Sequence, residues 1–294
     1  MTGPAQLRKL LRSGTFLQMP SVYDAIGARL VQSEGFEAAY VGGYVVGAKL
    51  AVSEPLVTMT EQIAVAREVA QAVRIPVLAD AGAGFGEPLH AMRTVREFSR
   101  AGIAGIHIED QYFPKRAHYH ADNVHEVPLE DFVQKLDYAC RERNAVDPDF
   151  VIIARTDSCR EFGLDEAAKR LNAAAKVGPD LGLLFPRTLE EAERAPKVCS
   201  LPLVYVQGRG NRDGRPIISR DELVRMGYAA CLESQVVIAT TFHFMKQALR
   251  ELRQTGNYTG MTEPQYVTAR KAVEDLIGLD EFYEIERQTV ESKP

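Results

Sequence analysis

Short apolar runs punctuate the chain at 16–19, 38–41, 76–80, 105–109, 150–155, 181–185, 203–206 and 229–232. They are rich in Val, Ile and Leu and show little polar alternation. That pattern fits parallel strands buried on both faces, since a strand with one wet face would alternate. The segments between them carry apolar residues at helical spacing. In 58–73, Ile63, Ala66, Val69 and Val73 share one face, while Arg67, Glu68 and Gln71 take the solvent side. Thr58-Met59-Thr60-Glu61 has the form of a capping box, in which Thr58 and Glu61 each satisfy a free backbone N–H of the other. Further helices are predicted over 88–101, 129–143, 164–177, 220–226 and 237–255. Pro88 and Gly102 mark the start and stop of the first of these.

Strand and helix alternate eight times, which is the order of a (β/α)8 TIM barrel of the α/β class. A doubly wound open sheet is the structural alternative. Eight units without an internal linker, in roughly the 250 residues a barrel needs, favour closure. The expectation is a single barrel domain over 1–294 with a charged C-terminal helical extension at 262–294. An extension of that kind can pack on a neighbouring subunit.

Composition narrows the function classes. The chain of 294 residues is 46% hydrophobic and 26% charged, too apolar for disorder. Lys and Arg total 35 against 40 Asp and Glu, a net charge of −5, which argues against a nucleic-acid partner. No apolar run reaches the ~20 residues of a bilayer span, so no membrane partner is expected. The first residues are basic but lack the apolar core of a secretory signal. Cys140, Cys159, Cys199 and Cys231 form no C-x-x-C pair and suggest no zinc module. They read as reduced thiols of a cytoplasmic protein.

In a barrel the chemistry lies at the C-terminal ends of the strands. The second strand ends in Tyr40-Val41-Gly42-Gly43, and the third in Asp80 before a Gly-rich turn, Ala81 to Gly86. The fourth ends in His107-Ile108-Glu109-Asp110-Gln111, the fifth in Arg155-Thr156-Asp157. Asp80 and Glu109 are hard oxygen donors suited to Mg²⁺ or Mn²⁺. Arg155 can clamp a carboxylate with two parallel hydrogen bonds. Gly42 and Gly43 can bring backbone N–H groups close to an anion. Gly82-x-Gly84-x-Gly86 is not the G-x-G-x-x-G of a dinucleotide site and follows the wrong strand. The segment 115–126 holds His118, His120 and His125 and is long enough to be a lid. Its histidines could ligate a transition metal, or His118, Tyr119 or His120 could act on substrate as acid or base.

These strings resemble the isocitrate lyase and phosphoenolpyruvate mutase superfamily, with closest similarity to its 2-methylisocitrate lyase and dimethylmalate lyase branch. Val41-Gly42-Gly43, Asp80 to Gly86, His107 to Gln111, Pro114-Lys115-Arg116, Ile153 to Asp157, Phe185-Pro186 and Asp221-Glu222-Leu223 carry the resemblance, which runs from about Tyr23 to about Ala248. It implies a barrel whose last helix is swapped between partners, in a homotetramer built from dimers. It implies Mg²⁺ holding a small anionic α-oxo or hydroxy acid. Asp80 and Glu109 match the metal-binding acids, and Glu54 falls near a third. Arg155 matches a substrate arginine, and Tyr40, Gly42 and Gly43 match residues around the substrate carboxylate.

The sequence also departs from that pattern. Ala117 stands where the lyases have the Cys of their gating loop, and Gly82 where the family has a second acid. Arg187 replaces the usual acid after Phe-Pro, and Val206-Gln207 the usual Asn. Arg187 adds positive charge to the mouth and so joins the candidate substrate residues. The implied chemistry is stabilisation of a pyruvyl enolate during Mg²⁺-dependent C–C cleavage or decarboxylation of a 2-hydroxy or 2-oxo dicarboxylate. Alternatives are a C–P bond mutase or hydrolase, and an inactive relative that only binds an α-oxo acid.

Overall fold

The computed structural model describes residues 3–116, 125–212 and 214–292. Eight parallel strands are present: β1 Leu17–Pro20, β2 Ala39–Val41, β3 Val77–Asp80, β4 Gly105–Glu109, β5 Val151–Arg155, β6 Leu181–Leu183, β7 Leu203–Gln207 and β8 Ala230–Glu233. Their ladders run in sequence order from β2 to β8 and on to β1. A parallel bridge between Ser21 and Tyr40 closes the ring, and the Val22 N–H donates to the Tyr40 carbonyl at 2.8 Å. The barrel predicted from the strand count is the fold, and the open sheet is excluded.

The helices are α1 Gly3–Arg12, α2 Ala25–Ser33, α3 Gly43–Lys49, α4 Met59–Ala72, α5 Pro88–Arg100, α6 Leu129–Val146, α7 Cys159–Ala174, α8 Leu189–Val198, α9 Arg220–Met226, α10 Val236–Thr255, α11 Glu263–Ile277 and α12 Leu279–Thr289. The capping box before α4 is formed on both sides, and Ile63, Ala66 and Val69 are buried as its pattern requires. Helix α7 begins before the predicted 164. Its backbone breaks at Gly163, where φ is 77°, and a short turn precedes the main segment.

Alternation along each strand divides the core in two. Leu78 and Ile153 point into the barrel with Leu17, Met19, Leu183, Val204 and Leu232. Their neighbours Ala79, Ile152 and Ala154 face the helices. Helix α1 seals the lower end. Its Leu7 enters the interior cluster, a burial worth about 2 kcal/mol. Arg8 beside it pairs with Asp180 at 2.8 Å and donates to the Phe150 carbonyl at 3.2 Å, at the entry to β5.

The helix that follows β8 differs from those that cover the barrel. Helix α10 matches the predicted 237–255 in extent but buries none of its side chains, and neither do α11 and α12. Phe242, Phe244, Met245 and Leu249 are exposed on α10. Helix α11 returns to α2, where Arg29 donates to the Leu276 carbonyl at 2.5 Å. Among the described residues no helix is long and apolar enough to cross a membrane.

Candidate active site

Strand register builds the site. Asp80 of β3 pairs with His107 of β4, and Glu109 of β4 pairs with Arg155 of β5. All four side chains emerge at the C-terminal mouth and are buried. Arg155 Nη2 lies 3.0 Å from Glu109 Oε2, and its Nη1 3.7 Å from Asp80 Oδ2. The bidentate edge of Arg155 is taken by Asp157, at 2.9 and 3.0 Å, and the ring of Phe185 stacks 4.9 Å from the guanidinium. Gln111 donates to the same Asp157. In this state the two-pronged clamp therefore holds a protein carboxylate.

A second cation enters from the segment after β4. Lys115 Nζ sits 2.7 Å from Glu54 and 3.2 Å from Glu109. Glu54 opens a short 3-10 turn, Glu54–Leu56, that brings it over the barrel mouth. Gly43, the first residue of α3, has to be glycine here. A Cβ would lie 2.9 Å from Glu54 Cγ and 3.0 Å from Asp80 Oδ2. Its N–H donates to Asp80 Oδ2 at 3.1 Å, while the Gly42 N–H reaches Ser21 Oγ at 3.4 Å. The Gly82 N–H holds the other Asp80 oxygen at 2.7 Å, and the Gly82 carbonyl accepts from the Glu109 N–H at 2.9 Å. Thus the turn after β3 fixes both acids.

Beneath this layer, Asp110 accepts from Thr156 Oγ1 at 2.6 Å, from the Asp157 N–H at 3.0 Å and from Arg170 of α7 at 3.2 Å. It locks the ends of β4 and β5 together. Tyr40 Oη and His107 Nε2 share a hydrogen bond of 2.8 Å, and His107 Nδ1 lies 3.6 Å from Asp80, too far for one.

The titrations follow from burial and charge. Burial lifts Glu109 to about 7 despite Arg155 and Lys115, with Asp157 and Asp80 adding to the rise. Burial also opposes ionisation of Asp80, but His107, Arg155, Lys115 and the Gly82 N–H together hold it well below the usual range. His107 is pushed down to about 4, first by burial, so it is neutral at pH 7. Within this cluster Arg155 pairs with Glu109, Asp157 and, more distantly, Asp80, while Lys115 pairs with Glu54 and Glu109.

A small cavity open to solvent adjoins the cluster, and Gly43, Glu54, Asp80, Gly82 and Lys115 are among its lining residues. The donor set fits a divalent cation. Its oxygens are hard, and Glu109 Oε1 is buried with the Lys115 ammonium 3.2 Å away but no hydrogen bond. No three acid, His or Cys side chains among the described residues enclose an ion by themselves. Mg²⁺ does not require that, since it keeps several waters.

Residues 7–253 match the phosphoenolpyruvate phosphomutase family. The chain belongs to that family. It is 33% identical to a probable 2-methylisocitrate lyase of Corynebacterium glutamicum, over 97% of this chain and 92% of that one. It is 32% identical to the 2,3-dimethylmalate lyase of Eubacterium barkeri, over 97% and 98%. A crystal structure of 2,3-dimethylmalate lyase, of the phosphoenolpyruvate mutase and isocitrate lyase superfamily, superposes with a TM-score of 0.88 at 29% identity, over 98% of this chain and 95% of that one.

As a phosphomutase-family member, the chain gathers Tyr40, Gly43, Glu54, Asp80, Glu109 and Arg155 at one mouth. Arg187 follows β6, and its backbone N–H donates to Glu191 at 2.6 Å. His118, Tyr119 and His120, with Ala117, lie outside the described residues. His125 is exposed, and its carbonyl accepts from the Tyr112 N–H at 2.9 Å. Sequence reasoning passed over His107, Lys115 and Asp157 as site residues. His107 and Lys115 find their partners, Tyr40 and Glu54, on another strand or turn, whereas Asp157 lies two residues from the arginine it holds.

Proposed function

We propose that this chain is a Mg²⁺-dependent carbon–carbon lyase or decarboxylase. Its substrate class is a small 2-hydroxy or 2-oxo dicarboxylate that reacts through a pyruvyl enolate. The convergence of Asp80, Glu109 and Glu54, three hard oxygen donors, beside an open cavity carries the reading. Glu109, raised to about 7 first by burial, is a carboxyl whose ionised form a bound divalent cation would stabilise. The named lyase relatives support it.

Asp80, Glu109 and Glu54 are the residues that would hold Mg²⁺, or Mn²⁺ in its place. Bound there, the ion would supply positive charge where an α-oxo oxygen becomes an enolate. Arg155, fixed by Asp157 and Phe185, orients the substrate from the opposite side. Tyr40 and neutral His107 close the floor without adding charge. In a 2-oxo substrate, cleavage of the bond to C3 leaves its electron pair on the pyruvyl enolate, which then needs a proton. In a 2-hydroxy substrate the hydroxyl proton leaves to a base as C2 becomes a carbonyl, and the electron pair stays on the departing carboxylate fragment, which takes up the proton. His118, Tyr119 or His120 is the proposed donor, since the loop Cys position is Ala117. Decarboxylation needs no such acid in the bond-breaking step, so Ala117 does not count against it. Arg187 adds charge for a second carboxylate.

The unburied faces of α10, α11 and α12 support a helix-swapped dimer, two of which would form the tetramer. The buried, unpaired thiols of Cys140, Cys159 and Cys231 favour a reducing cytoplasm.

The test is a panel of 2-hydroxy and 2-oxo dicarboxylates, assayed for 2-oxo acid release with and without Mg²⁺. Mg²⁺-dependent release from at least one member is expected, and none from any member would sink the proposal. Phosphonopyruvate followed by phosphorus NMR separates C–P from C–C chemistry. Oxalate binding with no turnover of any compound would favour the inactive relative.

A further inference from the structure

The cavity beside the carboxyl cluster has a mixed lining. Glu54, Asp80 and Lys115 contribute charge, and Val57, Phe85 and Phe113 apolar surface. Gln62, from the first turns of α4, also lines it. Gln62 is 2% exposed, and its side-chain nitrogen has no hydrogen-bond partner among the described residues. A buried amide left unpaired costs about 1–3 kcal/mol. Helix amphipathicity would place an apolar residue on this inward face, as at Ile63 and Ala66 beside it. A polar side chain kept at such a position calls for a partner inside the cavity.

Gly82 borders the same space. A Cβ there would meet nothing within 4 Å, so the wall next to Asp80 lacks a side chain at 82. A cation held by Asp80 and its neighbours would present its waters to this gap. Those waters point their protons outward and need acceptors. A half-turn of the Gln62 amide offers Oε1 as one, while Nε2 can donate to a water further out.

We propose that Gln62 is a positioning residue for the hydration shell of a divalent cation bound at Asp80, Glu54 and Glu109, filling the supporting role that the glycine at 82 leaves open. This rests on the metal reading of the site given above. Partners of a metal's outer shell change affinity by ~10- to 100-fold when removed.

Mn²⁺ alone serves as the probe, titrated into the full chain with free Mn²⁺ counted by electron paramagnetic resonance. Gln62→Leu is expected to weaken Mn²⁺ binding ~10-fold or more. Gln62→Glu is expected to bind at least as tightly as the parent protein and to gain more in Tm on adding Mn²⁺. Misfolding cannot produce that second result. Leu and Glu variants that both bind within about twofold of the parent would overturn the role of Gln62. A Gln62→Leu variant that loses oxalate affinity but keeps Mn²⁺ affinity would overturn it too, because Gln62 would then touch the anion. A parent protein that binds no Mn²⁺ would overturn the metal reading itself, which is a distinct result.

Discussion

Glu109→Gln separates the cost of the site from its use. Glu109 is fully buried, with Arg155 at 3.0 Å and Lys115 at 3.2 Å, yet burial raises it from 4.5 to about 7. A carboxyl whose folded pKa lies above its unfolded value takes up protons on folding. Stability therefore falls as pH rises from the unfolded pKa through the folded one. At ~1.4 kcal/mol per pH unit, the ionised carboxylate costs the fold roughly 3 kcal/mol above pH 7. Gln has the same shape and no charge. In EDTA at pH 8.5, Glu109→Gln should be more stable than the parent by roughly 2–3 kcal/mol, or ~5 °C or more in Tm. At pH 4.5 the two should coincide. Adding Mg²⁺ at pH 8.5 should then stabilise the parent, by ~2.7 kcal/mol at one hundred times Kd, and leave the variant unmoved. Thermal unfolding at the two pH values measures all three. A variant equally destabilised at both pH values would refute the reasoning, since Arg155 and Lys115 would then be holding Glu109 ionised at no net cost.

Tyr40→Phe removes the hydrogen bond that Tyr40 Oη shares with the buried His107 ring and should cost about 1–3 kcal/mol in denaturant unfolding, with far-UV circular dichroism unchanged. Asp157→Asn loosens the bidentate hold on Arg155. It should leave a partly unpaired buried guanidinium and cost roughly 3–5 kcal/mol, and a loss under ~1 kcal/mol would mean that Glu109 and Asp80 suffice. Paired changes Phe242→Glu and Leu249→Glu on α10 should reduce the particle size in light scattering, because both side chains are exposed in the single chain. An unchanged mass would show that α10 lies outside any interface. Replacing His118, Tyr119 and His120 together by Ala should lower turnover by ~10²-fold or more, and an unchanged rate would remove them as proton donors.

The barrel was legible because strands covered on both faces betray themselves as apolar runs, and strand-end acids inherit their position from the fold. Asp80, Glu109 and Arg155 could be picked on that ground. Their partners could not. Tyr40 meets His107 across 67 residues, and Lys115 reaches Glu54 across 61, distances over which sequence spacing carries no geometry. Asp157 was visible at the end of β5, but only the structure shows it taking the clamp of Arg155 that sequence reasoning reserved for substrate. Helix α3 was hidden because Gly42-Gly43 reads as a turn, although Gly42 only caps the helix that follows. The amphipathic period of α10 marked a helix with an apolar stripe. Periodicity cannot say whether such a stripe faces its own barrel or another chain.

The seal at the lower end of the barrel has a kinetic consequence. Arg8 of α1 is fastened to Asp149 and Asp180, across 141 and 172 residues. A segment emerging early in synthesis must therefore wait until more than half the chain exists before its anchor appears. Contacts of such long sequence separation form slowly, because loop closure has to precede them. Until then Leu7 has no interior to enter, and α1 is an exposed amphipathic helix of 10 residues, too short to hold its shape unaided. Ordering of α1 should accordingly belong to the last phase of folding, after the strands have closed into a ring.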